Sequence, residues 1–153
     1  MNYAKVILRC YRKISQGISD MDNFIKSRAR AGYASTEDAF SYLDKIATII
    51  QNKRLLIILK RKIAMSLAAL TREERLILKS DQLNNRPIEG FYYSMRSFYR
   101  HRKRAYSHFE ELLRENGLSF NEFMSTYAHI PLIKSVMLRL EFENEHKSLK
   151  LAA

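Results

Sequence analysis

Residues 94–117, SMRSFYRHRKRAYSHFEELLRENG, carry the pattern on which the fold class turns. At about 100° per residue, Phe98, Ala105, Phe109 and Leu112 fall on one side, and Tyr106 and Leu113 widen that face. Arg96, Arg100, Lys103, Arg104 and Ser107 gather on the opposite side. Neither glycine nor proline interrupts the run before Gly117. Ser94 stands where a hydroxyl can accept from the free amides of a first turn, and Asn116-Gly117 supplies a stop. The pattern predicts a helix over residues 94–115. Its first half is cationic outside and aromatic inside, and its second half turns acidic at Glu110, Glu111 and Glu115.

The same grammar extends in both directions. Upstream, Thr71-Arg72-Glu73-Glu74 reads as a capping box, in which Thr71 caps and Glu74 reaches back, opening a short helix through Leu76, Ile77 and Lys79. Asn84-Asn85-Arg86-Pro87 is a turn and the best internal boundary. Downstream, Ser119 and Glu122 repeat the box, and His129-Ile130-Pro131 ends that helix. A last helix is expected from Leu132 to Glu145, with a frayed tail over 147–153.

The N-terminal half is less regular. Tyr3, Val6 or Ile7, Cys10, Ile14 and Ile18 recur at helical spacing, so an amphipathic helix is expected from Asn2 to Ser19. Gly17 weakens its end, and a second short helix holding Met21, Phe24, Ile25 and Arg28 would stop at Gly32. Between Ser35 and Leu70, Phe40, Leu43, Ala47 and Ile50 share one face, and the register changes at Asn52-Lys53-Arg54. One long helix or two meeting near Asn52 both fit this pattern, and two are the preferred expectation. The run Leu55 to Leu59 is apolar all round, which suggests a helix covered on most sides. The whole reads as an all-α multi-helix bundle. It divides into an N-terminal part (1–70), a C-terminal part (71–146) and a tail (147–153).

Composition narrows the function classes. The chain has 153 residues, of which 46% are hydrophobic, enough for a real core and against global disorder. Its net charge of +11 is unevenly spread. Residues 1–104 hold 22 Lys/Arg against 9 Asp/Glu, whereas residues 105–153 hold 5 against 7. A basic body suggests a polyanionic partner. Cys10 is the only cysteine, so an internal disulfide is excluded and a reducing cytoplasm fits. No secretory leader pattern opens the sequence, and its apolar runs are too short to span a bilayer.

Enzyme signatures are missing from the sequence. The four histidines make no His-x-x-x-His pair, and the acid pairs Glu73/Glu74 and Glu110/Glu111 point about 100° apart on a helix. No phosphate loop or nucleophile motif is present. The expectation is therefore a protein that is not an enzyme and needs no metal or cofactor. The candidate contact residues are Arg96, Ser97, Arg100, His101, Lys103 and Arg104, with Lys60 and Arg61 as a second basic patch. Arginine can pair bidentately with guanine, while lysine and serine can hold phosphates. The aromatics Phe91, Tyr92, Tyr93, Phe98, Tyr99, Tyr106 and Phe109 read mainly as core, with Tyr92 and Tyr99 as the exposed members.

A family resemblance appears over residues 70–113. Leu70-Thr71-Arg72-Glu73-Glu74-Arg75 is similar to a helix start of the form Leu-Pro-x-x-x-Arg. Ser94, Ser97, Phe98, Arg104 and Ala105 match the spacing of a recognition helix, with Leu112 further on. This resembles the fourth conserved, helix-turn-helix region of bacterial sigma factors and related phage late-gene activators. The interval between the two parts is shorter than in that family and holds Pro87 and Gly90. The resemblance implies a DNA-binding transcriptional regulator, with RNA polymerase as a further partner. Two other classes stay open: a helical protein-interaction module, marked by a large exposed apolar face, and an RNA-binding protein, marked by exposed rings beside arginines.

Overall fold

With four glycines and two prolines in the chain, little interrupts helical hydrogen bonding. A computed structural model describes residues 2–31, 39–84 and 94–152, and among them it contains six helices and no strand. They are α1 (Tyr3–Ala31), α2 (Ala39–Ala68), α3 (Arg72–Asn84), α4 (Met95–Glu115), α5 (Phe120–Thr126) and α6 (Pro131–Ala152). The all-α bundle expected from the sequence is what the chain forms.

The capping signals act as read. Thr71 Oγ1 accepts from the amide of Glu74 at 3.2 Å, and Glu74 Oε1 accepts from the amide of Thr71 at 3.1 Å. Ser94 caps α4 by accepting from the Ser97 amide, and Ser119 caps α5 by accepting from the Glu122 amide. Beyond α4, Gly117 takes φ +73°, the left-handed conformation that a residue with a Cβ enters at a cost. Pro131 opens α6 at the position where its missing N–H costs nothing.

Four boundaries differ from the sequence reading, one being the end of α3, which runs past Lys79 to Asn84. α1 runs unbroken through Gly17 and Ser19 to Ala31. Gly17 is a packing residue: an added Cβ would lie 3.0 Å from Leu132 Cδ1, so the missing side chain lets α6 approach α1. α2 likewise continues through Asn52, because Asn52 is buried on the same side as Leu56, Leu59 and Ile63. α6 extends to Ala152, with residues 144–152 exposed, where fraying of 147–153 was expected.

α1 is the hub. It packs against α2, α3, α4 and α6, and its first turns are accordingly buried on several sides at Ala4, Val6, Ile7, Cys10 and Ile14. Those residues join Leu56, Leu59 and Ile63 of α2, Phe98, Phe109 and Leu113 of α4, and Ile133 and Val136 of α6 in one apolar cluster. The face of α2 opposite that cluster is not covered. Leu43, Ile50, Ile57, Ile58 and Met65 are exposed, against the expectation that Leu55 to Leu59 would be covered on most sides. A helix that is apolar all round has here one face in the core and another in water.

Candidate nucleic-acid interface

α4 is fixed by its apolar side. Phe98, Ala105, Tyr106, Phe109 and Leu113 are buried, and Leu112 is half-buried, as the helical spacing predicts. With that face anchored, the opposite arc must point outward. Arg96, Arg100, Lys103 and Arg104 are all exposed, and none forms an ion pair with another described residue. At 1.5 Å per residue these four cations span about 12 Å of helix. Ser97 and His101 are half-buried at the edge of the arc.

Arg102 turns the other way, and the reason is Asp81. The Asp81 side chain on α3 has no solvent exposure. Its Oδ1 accepts from Arg102 Nη1 at 2.9 Å, its Oδ2 accepts from the Tyr106 hydroxyl at 2.5 Å, and Lys5 Nζ stands 4.0 Å away. Burial, then the hydrogen bond to Asp81 and its charge, push the Tyr106 phenol well above its ordinary range, so it stays a donor. Burial lowers the Lys5 ammonium, opposed by Asp81. One arginine of the basic run thus neutralises a buried carboxylate, while its neighbours on the outer arc have no such acid among the described residues. The Arg102 guanidinium also lies 4.6 Å from the centre of the Tyr99 ring, which is half-exposed as read.

A second contact ties α3 to α4 further along. His108 Nδ1 and Glu74 Oε2 are 2.7 Å apart. The partners Glu74–His108, Asp81–Arg102 and Gln82–Tyr106 run in opposite senses along the two helices, so α3 and α4 are antiparallel neighbours. The turn expected at Asn84–Pro87, and the aromatics Phe91, Tyr92 and Tyr93, lie outside the described residues.

Lys60 and Arg61 do not join the α4 arc. The next residue, Lys62, donates to the Gly117 carbonyl at 3.2 Å, and Ser66 donates to the Leu112 carbonyl at 3.4 Å. This turn of α2 therefore sits beside the C-terminal end of α4, about 20 Å along the helix axis from Arg104. Arg61 is exposed and Lys60 half-buried. The acids of α6 do not cover the α4 cations either: Glu143 pairs with Arg9 of α1 at 2.9 Å.

Sequence reasoning did not find Asp81 as the partner of Arg102. The available signal was Arg102 itself, which lies off the cationic arc on the helical wheel and so needed a partner on the protein side. Among the described residues no group of three metal-ligating side chains occurs, and no helix is long and apolar enough to cross a membrane. No family model, curated protein or solved structure matches this chain.

Proposed function

We propose that the chain binds nucleic acid, as duplex DNA, through the outer arc of α4, in the manner of a sigma-like transcriptional regulator. The observation that supports this reading is the exposure of Arg96, Arg100, Lys103 and Arg104 on a helix whose other face is held by five buried side chains. Four cations without an acidic partner among the described residues keep their charge available to phosphates, and each phosphate they neutralise releases condensed counterions. A fixed helix presents them at little entropic cost. The proposal rests on that surface and on the net charge of +11, not on a helix-turn-helix crossing.

The test compares wild type with the variant carrying Arg96→Ala, Arg100→Ala, Lys103→Ala and Arg104→Ala, by fluorescence anisotropy at several salt concentrations. Labelled duplex DNA, single-stranded DNA and RNA serve as probes. The side chains are exposed, so the variant should keep its helical circular dichroism. Its log K against log salt slope on duplex DNA should fall by about 0.9 for each phosphate it no longer neutralises, roughly 3–4 in all. Unchanged affinity and slope would reject the surface. Weakening confined to single strands would move the reading to RNA or single-stranded DNA, with Tyr99 as the stacking ring.

A further inference from the structure

The uncovered face of α2 has a period. Leu43, Ala47, Ile50, Arg54, Ile57 and Arg61 recur three and four residues apart, the spacing of a seam that packs against another helix. All six are exposed, while the core-facing residues Leu56, Leu59 and Ile63 of the same helix lie on its opposite side. α6 carries a second seam. Leu138, Phe142, Glu145 and Leu149 recur at the same spacing and are exposed, Phe142 by 65%, while Ile133, Val136 and Leu140 face the core. Both seams point away from α1, which lies against both helices, so they do not meet within one molecule.

The charges on the two seams are opposite. The α2 seam contains Arg54 and Arg61 with Lys60 beside them, and the α6 seam contains Glu145 with Glu141 beside it. None of these five forms an ion pair with another described residue. We propose that α6 of a second copy of this chain lies antiparallel along the outer face of α2.

Orientation follows from position. In a parallel pair, like seam positions face each other, and Glu145 would then sit on Leu43, Ile50 or Ile57, because Arg54 and Arg61 occupy the other seam position. Antiparallel packing places unlike positions together. In the register that puts Glu145 on Arg54, Phe142 falls on Ile57, Leu149 on Ile50 and Glu141 beside Lys60. Leu138 falls on the aliphatic stem of Arg61, which lets that guanidinium reach water. Glu145 then meets Arg54, Glu141 meets Lys60, and Ile50, Ile57, Leu138, Phe142 and Leu149 are covered.

The experiment measures self-association of the full chain without nucleic acid, by sedimentation velocity across a wide concentration range, so its failure and that of the α4 proposal are separate. Wild type should associate. Glu141→Lys with Glu145→Arg should weaken association at least about tenfold through like-charge contact, and Arg54→Glu with Lys60→Glu should do the same. The chain carrying all four changes should regain it, because the reversed charges again match. The altered residues are exposed or half-buried, and circular dichroism checks that each variant keeps its helices. A monomeric wild type, association unmoved by either pair, or a four-fold variant no tighter than the pairs would each overturn the proposal.

Discussion

Asp81 is a carboxylate whose side chain is taken wholly out of water. A buried charge without partners costs several kcal/mol, and here a guanidinium, a phenol and an ammonium surround it. Removing one partner of a buried pair typically costs about 3–5 kcal/mol, because the other is left uncompensated. The cations in this network are not fully buried: Arg102 is 27% and Lys5 37% exposed, so water replaces part of the loss. Asp81→Asn should therefore lower stability by about 2–3 kcal/mol, read from urea unfolding. A loss below about 0.5 kcal/mol, the level of an ordinary surface change, would show that the network is held by packing alone.

At the scale of elements, α3 tests the capping argument directly. Thr71→Ala should cost about 0.5–2 kcal/mol, since the Glu74 amide loses its acceptor. Burial alone would raise the Glu74 carboxyl, yet the Thr71 amide, His108 and the Thr71 hydroxyl hold it below its ordinary value. A carboxylate lowered in the folded state contributes stability that is full above the unfolded value and is lost as pH falls through the folded one. The gap between wild type and Thr71→Ala should consequently shrink on acidification below the usual carboxylate range. Acid unfolding followed by circular dichroism would contradict this if the gap were constant. Both parts of that box stand in the sequence three residues apart, and the same is true of Ser119 and Glu122. The anchored face of α4 was equally legible, because Phe98, Ala105 and Phe109 repeat at helical spacing. What the sequence could not show depended on neighbours far along the chain. Gly17 reads as a weak helix end until Leu132 is known to rest on it, and Asn52 reads as a break until Leu56 and Ile63 bury beside it. The outer face of α2 misled for the same reason. An apolar stripe announces burial, and nothing local says whether the cover comes from its own chain.

Across the molecule, Cys10 offers a probe of how far the two halves of the chain act as one. It is fully buried on α1, the helix that touches α2, α3, α4 and α6, and it belongs to the cluster shared by both halves. Burial pushes its thiol up to about 12, where the nearby charge of Lys13 only partly opposes the shift. The thiolate is the reacting species, so at mildly alkaline pH the folded chain holds almost none of it, and a reagent cannot reach the sulfur in any case. Unfolding restores both access and an ordinary thiol. If the bundle opens only as a whole, the rate of labelling by an aromatic disulfide reagent should follow the unfolded fraction seen by circular dichroism across a urea series. The two midpoints should coincide, as they must in a two-state transition. If instead the N-terminal part opens by itself, labelling would run ahead of the loss of helix at urea concentrations where α3 to α6 remain folded. Fast labelling in native buffer with the helical signal intact would mean that α1 leaves its hub without unfolding the rest, and the single core would not hold in solution.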